Sequence, residues 1–444
     1  MNMKNIILTI VLVISSCYNW AIAQESILKS GPMIGYADMQ EVMIWVQTNK
    51  SAEVRVEYSI SGSRGRKFKT NTVYTKKEEA FTARLIADSV VPGTKYTYDV
   101  YMNNELIVLP YRTEFQTQMI WKYRGNPPEF RLLTGSCAYI NQPEHDRPGK
   151  PYGGNYEIFE SMRAKEADLM VWLGDNIYLR EPDWNTKTGI FARYTHSRSV
   201  KELQPLLAST ANYAIRDDHD FGPNDSDRGF YNKNLSLEAF KLFFANPTVG
   251  AGDMEGSVTS FQWGDADFFL LDNRTYRDPD NLMAENKTML GEKQLQWLFD
   301  NLVTSQATFK FVAVGGQFLS TSGKFESYYS NGYQSERQAI IDFIYKQNIK
   351  NVIFLTGDVH FTEISVLKAE GKPTIWDLTF SPITAGPNTQ GESWNNTLRI
   401  PETVVTERNY GMIDFKGISK ERRLEVKCFN SSDEQKWEYI INQE

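Results

Sequence analysis

Five short apolar runs end in the same kind of polar punctuation, and this constrains what the chain can fold into more than any other feature. Residues 130–133, 169–173, 268–271, 309–314 and 352–355 are almost wholly apolar. They finish in Gly135-Ser136-Cys137, Gly174-Asp175-Asn176-Ile177-Tyr178, Asp272-Asn273-Arg274, Gly315-Gly316-Gln317 and Gly357-Asp358-Val359-His360. A sixth site, Arg216-Asp217-Asp218-His219-Asp220, follows the weaker run 213–215. Runs without alternation suit strands buried on both faces of a layered α/β domain. Leu295, Leu298 and Leu302 give the intervening segment 291–302 an amphipathic helical spacing. In such sheets the carboxyl ends of the strands form the ligand crevice, and glycine there lets the backbone turn sharply. Carboxylates that converge in that crevice repel one another unless cations lie between them.

At 444 residues with 41% hydrophobic content, the chain can bury two or three cores. A formal net charge of -7 argues against a protein that coats nucleic acid. It leaves small anionic substrates open, because bound cations reverse the local field. Nothing in the sequence points to a particular oligomeric state.

The first residues read as a secretory signal, 1–23, and hence as export to the periplasm or the medium. Lys4 is followed by the apolar stretch 6–14 and by Ala21-Ile22-Ala23 before Gln24. Ile14-Ser15-Ser16-Cys17 supports an alternative, lipid anchoring at Cys17. No later segment offers a membrane span for the mature protein. Cleavage after Ala23 leaves Cys137 and Cys428, which an exported protein could pair. The alternating stretch 424–429 makes Cys428 a small buried strand residue instead.

Residues 26–118 read as an all-β unit. Strand-like segments at 42–46 and 54–58 flank polar Thr48-Asn49-Lys50-Ser51. The Pro92-Gly93 turn before Tyr96 and Tyr98 has the character of a tyrosine corner in an immunoglobulin- or fibronectin-like sandwich. This unit carries no catalytic cluster. Residues 123–129 then read as a linker to a second unit, 130–444.

Any single strand-end Asp is more often a turn or cap residue than a ligand. Gly135-Ser136-Cys137, Gly174-Asp175-Asn176-Ile177-Tyr178, Asp217-Asp218-His219-Asp220 and Leu355-Thr356-Gly357-Asp358-Val359-His360, taken in order, resemble the alkaline phosphatase D (PhoD-like) family. That family belongs to the calcineurin-like metallophosphoesterase superfamily, and the resemblance runs from about residue 31 to at least residue 361. It implies a four-layer α/β (α+β) metallophosphoesterase sandwich behind the small all-β domain. It also implies an exported phosphoesterase that cleaves phosphate mono- or diesters with metal-activated hydroxide.

The resemblance further implies a ligand set. Asp175 bridges two metals, while Cys137 as thiolate, Tyr178 as tyrosinate and His360 as imidazole hold iron(III). The Gly-Asp-x-x-Tyr pattern around Tyr178 is shared with purple acid phosphatases. Asp218, Asn224 and Asp358 form an oxygen-rich side for one or two calcium ions, with other divalent metals also admissible. Asp358 stands where the wider superfamily has a histidine. Asn224 and Asp225 compete for one ligand position, and Gln317 can bind metal, hold substrate or cap its strand.

His219 is the candidate proton donor to the leaving group, or alternatively orients Asp218. Arg274 is a candidate phosphate clamp, as is Arg180, and each could equally form a structural ion pair. His145 and His196 are expected at the surface, and Asp225-Ser226-Asp227 as a solvated loop. The expected partner is a small phosphate ester. Rival readings are a phosphodiesterase acting on lipid or cell-wall diesters, a binding protein with a relict site, and a zinc amidase, which would carry more histidine than the four present.

Overall fold

Short strands that are apolar throughout need cover on both faces, and the fold supplies it in layers. A computed structural model describes residues 26–444 apart from Arg64, Phe325, Glu326 and Asn331. The expected signal segment 1–23, Cys17 included, lies outside the described residues. Strands Leu169–Leu173, Ala211–Ile215, Phe309–Ala313 and Val352–Thr356 are buried at every position.

Two mixed sheets form the larger part. One has six strands in the order Ala211–Ile215, Leu169–Leu173, Phe130–Gly135, Asn409–Lys416, Arg423–Asn430 and Gln435–Asn442. The other has seven, in the order Thr259–Trp263, Ala266–Leu270, Phe309–Ala313, Val352–Thr356, Ile375–Thr379, Thr362–Leu367 and Arg399–Val405. Leu132, Val171 and Tyr213 of the first share a core with Phe268, Phe311 and Ile353 of the second, so the sheets pack face to face. Each fully buried Leu or Phe in such a layer contributes about 1.5–3 kcal/mol.

Helices Glu157–Ala164, Lys187–Arg198 and Lys233–Phe243 cover the outer face of the six-stranded sheet. Helices Gly291–Thr304 and Gln334–Gln347 cover that of the seven-stranded sheet. The result is the expected four-layer α/β/β/α sandwich. Gly291–Thr304 is the helix that the leucine spacing predicts, with Leu298 and Leu302 inward.

The strands from Leu28–Ala37 to Glu114–Gln116 form two further sheets around Ile34, Val42, Tyr58, Tyr96 and Phe115. The tyrosine corner is present, since the Val91 amide donates to the Tyr96 hydroxyl at 2.8 Å. This all-β region leans on the outer strand of the six-stranded sheet. Asn212 donates to the Ile34 carbonyl (3.1 Å), Tyr98 to that of Ala208 (2.9 Å) and Trp45 to that of Leu242 (2.7 Å).

Cys137 and Cys428 are both buried and free, so they form no disulfide. Cys428 is an inward residue of Arg423–Asn430, as its alternation predicts. No helix among the described residues is long and apolar enough to cross a membrane.

Candidate metal centre

The carboxyl ends of strands from both sheets meet at one edge of the sandwich. Ser136 donates from its amide to the Phe380 carbonyl (3.1 Å), and Ile383 donates to the Ser136 carbonyl (2.8 Å). The Cys137 amide reaches the Gly174 carbonyl at 3.3 Å, and the Gly357 amide reaches that of Gly315 at 2.7 Å. Close approach explains the glycines. A Cβ on Gly174 (φ +88°) would lie 2.6 Å from the Asp217 Cβ, and one on Gly315 would overlap the Asp217 carboxylate. Cys137, Asp175, Asp358 and His360 all adopt left-handed backbone, with φ of 60°, 51°, 69° and 60°. Non-glycine residues rarely hold that conformation, and where they do the strain clusters at functional sites.

These turns aim donor atoms into a shared space. Ligand atoms of Cys137, Asp175 and His360 lie within 4.8 Å of one another, as do those of Asp175, Asp218 and His219, and of Asp217, Asp218 and Asp358. Asp175 belongs to two of these groups and so stands between them. The Cys137 Sγ is 3.6 Å from Asp175 Oδ2, and the Tyr178 hydroxyl is 3.2 Å from His360 Nε2. His360 Nδ1 sits 2.6 Å from the Gly386 carbonyl, which fixes the ring proton on Nδ1 and leaves Nε2 as a lone-pair donor.

The electrostatics of this cluster call for positive charge. Burial, reinforced by Asp218, Cys137, Asp217 and Asp358, pushes the Asp175 carboxyl well above its ordinary range. Burial likewise raises the Tyr178 phenol and the Cys137 thiol. Burial alone would raise Asp218 too, but His219, Arg274 and the Asp225 amide outweigh it and hold Asp218 below the usual carboxylate range. Burial lowers His360, which keeps its ring neutral and able to ligate. Protein groups alone thus favour the protonated forms of Asp175, Cys137 and Tyr178, and a cation at their meeting point would oppose that preference. The donor set fits two kinds of ion. Thiol, phenol, imidazole and carboxylate on one side suit a strongly polarising metal, and the oxygen atoms of Asp218 and Asp358 on the other suit a hard one.

The Asp-Asp-His-Asp motif separates into different tasks. Asp217 caps the short helix Asp218–Phe221 and accepts from Asn273 (2.9 Å) and from Arg274 Nε (2.5 Å). Asp220 completes the capping box and accepts from the backbone amides of Asp217 and Asn176. Asp218 and His219 face the cluster. The His219 ring lies over Tyr178 at a centroid distance of 4.1 Å, and its Nε2 is 3.9 Å from Asp218 Oδ2.

A cavity of about 410 Å³ opens over this edge, lined in part by Asp218, Asn224, Asp225, Asp358 and His360. Asn224 and Asp225 both reach it, and the Asp225 amide donates to Asp218 Oδ2 at 2.8 Å.

Other residues singled out in the sequence lie elsewhere. Arg274 is fully buried beneath the cluster, bonded to Asp217 and 3.6 Å from Asp218, and does not line the cavity. Arg180 is buried against Asp146 and the carbonyls of Tyr178 and Ile140, which makes it structural. Gln317 donates to Glu363 (2.7 Å) and Thr379 (3.2 Å) in a buried network of the seven-stranded sheet. His145 is exposed as expected, whereas His196 is half-buried on a helix and 3.0 Å from the Asn141 carbonyl. Helix packing draws His196 off the surface.

Two aromatic cavity residues escaped the sequence reading, Tyr152 and Trp394, as did the loop Gly386-Pro387-Asn388. Neither ring follows an apolar run. Their only sequence signals are the adjacent Gly153-Gly154 pair and the loop opened by Gly386-Pro387.

Comparison with known proteins bears on the family and the fold. A family model described as PhoD-like phosphatase matches residues 132–421, and a model described as Domain of unknown function (DUF7800) matches residues 25–120. Alkaline phosphatase D of Bacillus subtilis (strain 168) is 27% identical over 350 residues, covering 68% of this chain. The match spans 57% of that relative's own length. Among solved structures, a structure of PhoD superposes with a TM-score of 0.76 at 22% identity, over 94% of this chain and 90% of the other. Purple acid phosphatase PPD1 from yellow lupin (Lupinus luteus) seeds superposes with a TM-score of 0.66 at 13% identity, over 93% and 74%. At these identities the structural likenesses speak to the fold.

Proposed function

Since the chain belongs to the PhoD-like phosphatase family, we propose that it hydrolyses phosphate mono- or diesters in the cavity above Asp175. One observation carries this reading. Cys137, Asp175, Tyr178, Asp218, Asp358 and His360 come from four strand ends in the two sheets, yet they converge on one buried space at the floor of an open cavity. Cys137, Asp175, Tyr178 and His360 would hold iron(III). Asp218, Asp358 and Asn224 would hold calcium, with Asp175 shared between the two sides.

Ions held there supply two things, polarisation of the phosphoryl oxygens and a lowered pKa for a water. The residues do the rest. A water that has released one proton to solvent attacks phosphorus in line, the bond to the ester oxygen breaks, and the departing alkoxide takes a proton. His219 would give that proton, a role supported by the 20% exposure of its side chain and by its Nε2 lying 3.9 Å from Asp218 Oδ2 beside the cluster. Arg274 is a positioning residue in this reading. Its guanidinium holds Asp217 and offsets part of the negative charge on Asp218 from below. The intact donor set disfavours a relict binding protein, and the phenol together with the scarcity of histidine disfavours a zinc amidase.

The test is metal analysis and a visible spectrum of protein purified with iron and calcium, alongside turnover of an aryl phosphate monoester and diester. Tyrosinate on iron(III) colours the protein. A colourless, iron-free preparation with full activity would defeat the ligand assignment, and absence of turnover on both esters would defeat the function. Export belongs to the same proposal, resting on residues 4–23.

A further inference from the structure

Two chemically different sets of residues line the cavity, and the proposed reaction uses only one of them. The acidic and histidine set contacts the metal side. The remaining lining includes the rings of Tyr152, Pro387 and Trp394 and the buried Val359. Asn388 is the polar side chain on this half, and among the described lining residues there is no lysine or arginine, so no cationic side chain there pairs with a second phosphate or a carboxylate.

The two aromatic rings are held in place. Tyr152 packs edge-on against Tyr139 (centroids 5.0 Å, 79°), and its hydroxyl is 3.0 Å from His360 Nδ1. A Cβ on Gly386 would lie 2.7 Å from the Tyr152 ring, so glycine lets the cavity loop close over it. Arg408 donates to the Tyr152 carbonyl (3.2 Å), and the neighbouring Gly154 amide donates to that of Thr384 (2.7 Å). Even so, 45% of Tyr152 remains exposed, which a core-packing role does not explain.

Trp394 packs edge-on against the fully buried Phe361 (5.3 Å, 82°). Its loop is tied down independently of the ring. Asn396 donates to Glu363 and Ser365 at 2.8 Å each, and Arg399 donates to the carbonyls of Gly391 (2.9 Å) and Glu392 (2.8 Å). The Asn388 amide closes the loop onto the His360 carbonyl at 2.8 Å. Rings fixed in this way before ligand arrives lose little freedom on binding.

We propose that Tyr152 and Trp394 form a leaving-group subsite, and that the preferred substrates are phosphate esters of flat, uncharged aromatic alcohols. The inference rests on the phosphoesterase reading and deepens it. With phosphate against the metal side, the alcohol portion of the ester has the aromatic set as its remaining surroundings. Aromatic faces and edges favour a planar partner over an aliphatic one of equal size.

The probes are phenylphosphonate and methylphosphonate, which share the phosphoryl group and cannot be hydrolysed at oxygen. Their dissociation constants are measured by calorimetry on metal-loaded protein, with metal content recorded for each variant. Wild type is expected to bind phenylphosphonate about ten-fold more tightly. Trp394→Ala should reduce that preference at least three-fold, with methylphosphonate affinity within two-fold of wild type and metal content unchanged; Tyr152→Ala, which removes a hydroxyl 3.0 Å from His360 Nδ1, should reduce the preference as far when compared at equal metal loading. Tyr152→Phe, which keeps the ring, should retain the preference. Wild type that binds methylphosphonate without favouring phenyl overturns the subsite alone, as does a preference that survives both alanine variants. Protein that binds neither phosphonate overturns the phosphoesterase reading and the subsite with it.

Discussion

Asp377 offers a prediction whose size can be worked from the structure. It lies wholly buried in Ile375–Thr379, where one carboxylate oxygen accepts from the amides of Phe318 (2.9 Å) and Leu319 (2.7 Å) and the other from the Thr356 hydroxyl (2.7 Å). Burial pushes its pKa up to about 6, with Glu363 adding to the rise and the Leu319 amide and Thr356 hydroxyl opposing it. The folded state therefore binds this proton more tightly than the unfolded chain, whose reference value is 3.8. Stabilisation from protonated Asp377 is complete below the unfolded value and is lost as pH rises through about 6. A shift of roughly two units corresponds to about 3 kcal/mol, of which about 2 kcal/mol falls between pH 4.5 and 8.

Asp377→Asn should remove this dependence without breaking the site. The amide oxygen can keep the two backbone donors, and the amide nitrogen can donate to the Thr356 hydroxyl, whose own proton turns to Thr379, 2.9 Å away. Thermal unfolding of both proteins at pH 4.5 and pH 8 is the assay, and the variant-minus-wild-type difference in Tm is the quantity. Acid effects elsewhere in the molecule cancel in that difference. It should rise in the variant's favour by about 3 °C at pH 8 relative to pH 4.5 for a cooperative unit of this size. A difference that stays constant within about 1 °C would refute the argument that Asp377 is held protonated.

Three further outcomes are expected. Cys137→Ser should cost most of the bound iron while the protein still folds, since the Cys137 Sγ packs among hydroxyls that tolerate an oxygen, namely Ser136 (3.3 Å) and Ser381 (3.2 Å); iron retained at wild-type stoichiometry would exclude Cys137 as a ligand. His219→Ala should lower kcat for alkyl phosphates by about 10²–10⁴-fold and for aryl phosphates with good leaving groups far less, and equal losses would assign His219 to positioning. Intact-mass analysis of the exported protein should find a chain that starts at Gln24, and a lipid-modified Cys17 would refute cleavage after Ala23.

Much of the architecture was legible in residue order. The almost wholly apolar runs at 169–173, 309–314 and 352–355 predicted strands covered on both faces, and the structure places all three in the centre of the sandwich. Their polar endings predicted where a ligand crevice would form, because chain direction alone puts the carboxyl ends of parallel strands at one edge. The motif order carried the family. Alternation likewise predicted Cys428 as an inward strand residue.

Roles within a motif were not legible, because they depend on which way each side chain leaves a turn. Asp217, Asp218 and Asp220 are chemically alike in sequence. Only the packing of Arg274, the cap of a one-turn helix and the backbone amide of Asn176 make two of them scaffold and one a cavity residue. Arg274 looked suited to clamp phosphate and instead lies beneath the carboxylates. Tyr152 and Trp394 were silent, since nothing local marks a ring whose neighbours, Tyr139 and Phe361, come from other segments. The sequence by itself determined that acidic, thiol and imidazole groups stand at strand ends of a layered α/β unit, because periodicity and chain direction are local properties. The resemblance already implied Asp175 as the shared residue; the tertiary structure alone decided that Asp217 and Asp220 serve as scaffold and that aromatic rings share the cavity. Distances between side chains hundreds of residues apart are set by how the two sheets stack.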